Sequence, residues 1–173
     1  EVLSHMFTMA IRWGIVHVHP MVGKKVVKPS TGKGRKVVPV ESELIALAAT
    51  MPRKWQLYIA LKVWTGRRKA ELLRLRRQDV LKEGLRFTDG KDDDNVFILA
   101  WEPAIAAVVK ELQSLYQGLG SMYLFHTVHG QPYVKADGTT SGFDSIWGRY
   151  RNQAFEKGVI SVRFTEHDMR KVR

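Results

Sequence analysis

Apolar residues recur at helical spacing from the first residues onward. Val2, Leu3, Met6, Met9, Ala10 and Trp13 are followed by Gly14, and the pattern predicts an amphipathic helix over 2–16. In "PVESELIALAATMP", Glu41 and Glu43 suit a first helical turn, Leu44, Leu47 and Ala48 share a face, and Pro52 stands beyond the end. Residues 53–64 are apolar on nearly every side, which predicts a helix at the centre of the core. Thr65-Gly66 interrupts that run. A further helix over 67–77 would turn Leu72, Leu73 and Leu75 inward and its arginines outward.

Beyond Val80 the period changes. "LRFT" and "VFILAW" are β-prone runs joined by the turn-rich "DGKDDDN", which predicts a hairpin. Pro103 suits the first turn of a helix over 103–117. Residues 118–142, with Gly, His and Pro scattered through them, predict irregular chain. Phe143, Ile146, Trp147, Tyr150 and Phe155 then form an aromatic stripe on a helix over 143–157, suited to core packing. The pattern as a whole predicts an α+β fold, mostly helical, with one small antiparallel sheet.

Composition narrows the function classes. At 173 residues the chain can bury about one ordinary core, and it has no cysteine for disulfides or thiolate zinc sites. No apolar run approaches the roughly 20 residues of a membrane span. The first residues show no basic leader of a secretory signal, and a chain beginning at Glu1 rather than Met reads as a fragment. "HVH" at 17–19 and "HTVH" at 126–129 offer histidines without a carboxylate or thiol at ligand spacing, so a zinc enzyme is a weak reading.

Charge changes the picture more. With 28 Lys and Arg against 17 Asp and Glu the net charge is +11, a field that favours polyanions. Part of it sits in "GKKVVKPSTGKGRKVVP", residues 23–39, which holds three Gly, two Pro and no acid. That stretch reads either as a solvated loop or as an interdomain linker whose Lys24, Lys25, Lys33, Arg35 and Lys36 lie along a DNA backbone.

Two short stretches carry candidate chemistry. In "TGRRKAELLRLRRQDV", residues 65–80, a Thr-Gly turn ends a buried segment and delivers an arginine at the mouth of the next helix. In "RFTEHDMRKVR", Thr165 and Asp168 form a capping-box pattern that starts a helix just after Thr165. His167 and Arg170 then share a helical face near an N-terminus that already favours an anion. A phosphate oxygen could take one bond from the imidazole and a bidentate pair from the guanidinium.

Thr-Gly-x-Arg, a hairpin with a lysine, and His-x-x-Arg, in that order, resemble the catalytic domain of the tyrosine recombinases, the phage-type integrases. "TGRRKAELLRL" is similar to the family's first arginine motif, and the resemblance implies a catalytic Arg68 with Glu71 as its structural acid. "HDMR" is similar to the second motif, implying His167 and Arg170, and Lys91 matches the family's catalytic lysine. Arg67 and Lys69 would touch flanking phosphates or solvent. "EVLSHMFTMAIRWGIV" is similar to the last helix of the DNA-clamping domain that precedes the catalytic one.

The resemblance implies a division into 1–22, the end of the clamping domain, 23–39, a basic linker, and 40–173, a catalytic domain cut short before its nucleophilic tyrosine. All five tyrosines, Tyr58, Tyr116, Tyr123, Tyr133 and Tyr150, precede His167, whereas the family's nucleophile follows the second arginine. Residues 1–173 alone are therefore expected to be inactive. The full enzyme would integrate or excise a mobile element through a 3′-phosphotyrosyl intermediate, with no cofactor and no metal. Its partners would be double-stranded DNA attachment sites, bound as a recombinase tetramer, with a monomer or weak oligomer off DNA and no membrane. Its place would be the bacterial cytoplasm or nucleoid, encoded by a bacterium or a phage. Three departures stand out: Arg67 follows the Thr-Gly where small or apolar residues are usual, "DDD" at 92–94 adjoins Lys91, and the tyrosine is missing. A DNA-binding protein without catalysis and a type IB topoisomerase remain the alternatives.

Overall fold

The computed structural model describes residues 2–20, 37–89, 92–115 and 120–172. It divides into two compact units, Glu1–Lys36 and Val37–Arg173. In the first, α1 (Val2–Arg12) ends four residues before the sequence pattern suggests. Gly14, at φ 71°, turns the chain back, and the His19 ring reaches the Ser4 carbonyl at 3.0 Å and meets the Phe7 ring at a tilt, 5.8 Å between centroids. Leu3, Met6 and Trp13 are exposed.

The second unit is built on α3 (Arg53–Thr65), the helix expected to be central. Trp55, Leu57, Tyr58, Ile59, Leu61 and also Lys62 are buried along it. Around it pack α2 (Glu41–Ala49), α5 (Pro103–Ser114) and α6 (Ser141–Glu156). Aromatic rings join these elements. Tyr58 meets Phe143 at 4.8 Å and Phe125 at 5.4 Å, Trp55 meets Phe143 at 5.3 Å, and Trp147 meets Phe164 at 6.2 Å. The predicted stripe on α6 is buried at Phe143 and Trp147 but not at its end, where Phe155 is exposed beneath the Arg163 guanidinium. Ala154 takes the inward place there.

The helix expected over 67–77 is shorter. Helix α4 spans Lys69–Arg74, and a 3₁₀ turn follows at Arg77–Asp79. The reason is tertiary. The Leu75 carbonyl accepts the Leu124 N–H at 2.9 Å and the Arg77 N–H donates to the Met122 carbonyl at 2.7 Å, so this backbone is committed to a neighbouring segment. Leu72, Leu73 and Leu75 still point inward, at 2% exposure or less.

Strands β1 (Gly84–Asp89) and β2 (Asp92–Ala100) form the expected antiparallel hairpin, with Leu85 opposite Leu99 and Phe87 opposite Phe97. Gly84 is required by close approach, because a Cβ there would lie 2.2 Å from the Leu99 carbonyl oxygen. Among the described residues no helix is long and apolar enough to cross a membrane.

Candidate functional site

The exit from α3 is set by hydrogen bonds. Thr65 Oγ1 donates to the Leu61 carbonyl at 2.7 Å, and Gly66 adopts φ 62° while its N–H caps the Lys62 carbonyl at 2.9 Å. This left-handed residue costs a glycine almost nothing and lets the chain leave the helix sharply. Arg68 comes next as the extended residue before α4. Its N–H donates to Glu71 Oε2 at 3.2 Å, and its guanidinium lies 3.6 Å from Glu71 Oε1. Glu71 is nearly buried, at 9% side-chain exposure, whereas the Arg68 side chain is 56% exposed. An acid three residues into the helix thus fixes the backbone that carries an outward arginine.

The same device recurs at the other end of the chain. Asp168 Oδ2 accepts from the Thr165 N–H at 2.8 Å and from its Oγ1 at 2.6 Å. The segment it starts, Glu166–Lys171, is a 3₁₀ helix. With three residues per turn, side chains three apart eclipse one another. Glu166 and Met169 therefore both face inward, at 8% and 1% exposure, and His167 and Arg170 both face out. Neither His167 nor Arg170 makes a hydrogen bond or ion pair with the described residues.

Arg68, His167 and Arg170 line one open cleft of about 530 Å³. Lys69, Thr165, Glu166 and the α6 residues Asp144, Trp147 and Arg151 complete its wall. Its acids are already engaged. Asp144 accepts from Lys69 Nζ at 2.6 Å and from Thr140 Oγ1 at 2.8 Å. Glu166 accepts from Lys62 Nζ at 2.6 Å and from the Tyr58 hydroxyl at 2.8 Å. The other charged side chains that line it, Arg68, Arg151 and Arg170, are all basic, which suits a bound oxyanion.

The remaining sequence-derived positions fall elsewhere. The Arg67 guanidinium covers Phe97 at 4.1 Å and Phe87 at 5.0 Å and lies 3.9 Å from Glu71 Oε2, so it faces the hairpin and α4. Lys69 borders the cleft but is paired with Asp144. Lys24, Lys25, Lys33, Arg35, Lys36 and Lys91 lie outside the described residues, as does Tyr116. Tyr58 is 1% exposed, and none of Tyr58, Tyr123, Tyr133 and Tyr150 lines the cleft. The sequence reading missed Lys62 and Glu166. Their one local signal is a lysine inside the apolar run "LYIALKVW".

No family model and no curated protein matches the chain. Solved structures do. A lambda integrase (75–356) dimer bound to a COC′ core site is 17% identical, covers 98% of this chain and 61% of its own, and superposes with a TM-score of 0.69. A lambda integrase tetramer bound to a Holliday junction is 16% identical, with 98% and 50% covered and a TM-score of 0.68. The Tn1549 transposon integrase (82–397) with circular intermediate DNA is 15% identical, with 98% and 61% covered and a TM-score of 0.68. The chain spans half to three-fifths of the length of these structures. Its fold is that of the tyrosine-recombinase catalytic domain.

Proposed function

We propose that the chain is the catalytic part of an integrase-type DNA recombinase, which cuts and rejoins DNA through a 3′-phosphotyrosyl intermediate. The observation that carries this reading is the convergence of Arg68, His167 and Arg170 on one cationic cleft, within a fold shared with integrases.

The chemistry follows from what a phosphodiester needs. Attack on phosphorus builds charge on two nonbridging oxygens, and two guanidinium forks stabilise it without reorganising at the moment of reaction. Arg68 and Arg170 take that role, and His167 donates a further hydrogen bond to the phosphate. A tyrosine oxygen attacks phosphorus as its phenolic proton passes to water, and the P–O5′ bond breaks. The leaving O5′ takes a proton from Lys91, and the 3′ phosphate stays joined to the tyrosine. The reverse step, with the 5′-hydroxyl of another strand attacking, conserves the bond count and needs no nucleotide hydrolysis. A proton delivered this way is worth roughly 10²–10⁴-fold in rate.

We place the nucleophile on a tyrosine after Arg170, as the motif resemblance implies, and none of the four described tyrosines borders the cleft. We assign α1 to the end of a DNA-clamping domain and the basic stretch 23–39 to the DNA backbone. The partners are double-stranded attachment sites, bound as a tetramer like the lambda integrase on its Holliday junction. The reading places the protein with the bacterial nucleoid.

The test is covalent trapping. The full-length protein is incubated with a nicked duplex built on a site it selects from random DNA. A protein–DNA adduct is expected, lost in Arg68→Ala and Arg170→Ala while DNA binding persists. Tight binding with no adduct overturns the reading in favour of a DNA-binding protein without catalysis.

A further inference from the structure

Lys62 sits in the last turn of α3, the central helix of the second unit, with 0% of its side chain exposed. Its ammonium is held at two points. It donates to the Arg67 carbonyl at 2.5 Å, and it pairs with Glu166 Oε1 at 2.6 Å. The Tyr58 hydroxyl, also buried, donates to the same Glu166 oxygen at 2.8 Å. The Arg67 carbonyl belongs to the peptide bond that leads into Arg68. Glu166 immediately precedes His167. One buried charge therefore joins the segment that carries Arg68 to the segment that carries His167 and Arg170.

Such a pair is an odd way to gain stability. Removing two charges from water costs several kcal/mol per ion, and an apolar pair of similar volume commonly packs as well or better. Burial pushes the Lys62 ammonium down in pKa and nearby Arg170 pushes the same way, while Glu166 and Glu71 oppose them. What the pair supplies that an apolar contact lacks is direction. Apolar packing tolerates sliding, whereas a short charge-assisted bond fixes distance and angle. A displacement of about 1 Å at a reacting centre can cost about 10²-fold in rate.

We propose that Lys62, Glu166 and Tyr58 are positioning residues, a buried clamp that holds Arg68 in register with His167 and Arg170 for strand cleavage. The inference rests on the cleavage reading above. It predicts that the clamp can be replaced without loss of fold or DNA affinity, but not without loss of rate.

The experiment uses the full-length protein and a trapping duplex. Single-turnover adduct formation at saturating DNA, DNA Kd and Tm are measured on the same preparations. Lys62→Met combined with Glu166→Leu removes both charges together, so neither is left buried alone. The expected result is a Tm within a few degrees of the parent, a Kd within about twofold and a cleavage rate lower by about 10–100-fold. Glu166→Gln, which keeps the shape and an acceptor oxygen, is expected to recover part of that rate. A folded double variant that cleaves at the parent rate overturns the proposal. So does one whose rate falls only in proportion to its Kd. If the double variant does not fold, Tyr58→Phe decides. It keeps the ring packing and loses one bond, and a threefold or greater loss of rate at unchanged Tm is expected, whereas the parent rate overturns the clamp. A parent protein that binds DNA but forms no adduct removes the cleavage reading itself, an outcome distinct from each of these.

Discussion

Three glycines of the second unit are expected to answer the same substitution with three different results. Gly148 lies inside α6, with nothing within 4 Å of an added Cβ and an ordinary negative φ. Gly148→Ala removes backbone freedom from the unfolded chain and should stabilise by about 0.5–1 kcal/mol. Gly66 also has open space around a Cβ, but its φ is +62°. The entire cost of Gly66→Ala is then conformational, about 1–2 kcal/mol of destabilisation. Gly84→Ala has no such freedom to choose, because its Cβ would lie 2.2 Å from the Leu99 carbonyl oxygen and 2.8 Å from the carbonyl carbon. Backbone must move, the hairpin pairing must open locally, and a loss of about 3 kcal/mol or more is expected. Urea unfolding of the three variants, with m unchanged, reads these differences from the midpoints. The ordering is the test. Gly66→Ala matching or exceeding the parent in stability would refute the left-handed cap as the device that aims Arg68. A destabilised Gly148→Ala would refute the reading of α6 as unstrained helix.

Other expectations are more direct. Arg170→Lys and Arg68→Lys should each lower adduct formation by about 10²-fold or more while DNA Kd changes only severalfold, because a point charge loses the two-pronged geometry; single-turnover trapping beside binding titrations checks this. Lys91→Ala should cleave a bridging 5′-phosphorothiolate duplex almost as fast as the parent, since that leaving group needs no proton, and failure of the rescue moves the general acid to another residue. Lys54, whose ammonium donates to the His126 carbonyl at 2.9 Å, is pushed by burial down to about 8 from 10.5. The unfolded chain then binds the extra proton between those values, so stability should rise from pH 8 toward 10.5. Lys54→Met should flatten that rise, as urea midpoints at pH 7.5 and 9.5 would show.

The sequence was most legible where local pattern and tertiary demand agree. Leu44 and Leu47 on α2, the largely buried α3 and the Phe87–Phe97 hairpin lie where their spacing placed them. The capping acids were legible too, because Asp168 bonds a residue three positions away. Reading failed where the deciding partner is distant. The end of α4 is dictated by residues 122–124, and periodicity over 67–77 carries no trace of them. The charge of Lys62 was visible inside an apolar run, but the acid that answers it was not, since Glu166 lies on a segment far along the chain from α3. The candidate site was reached through motifs rather than pattern, which found Arg68, His167 and Arg170. Motifs name the residues that face the cleft and say nothing of those that hold them from behind.

The 3₁₀ form of Glu166–Lys171 bears on which length changes this protein can accept. Each residue added to such a segment rotates everything after it by about 120°. One insertion between His167 and Arg170 would carry the arginine off the cleft wall and swing Met169, 1% exposed, toward water in the same stroke. A deletion there would do likewise in the other sense. Related chains should therefore keep the interval between these residues fixed while varying freely in length elsewhere, for example in the exposed stretch around Val128 and Gln131. An engineered tag or reporter belongs in that stretch and nowhere near the 3₁₀ turn.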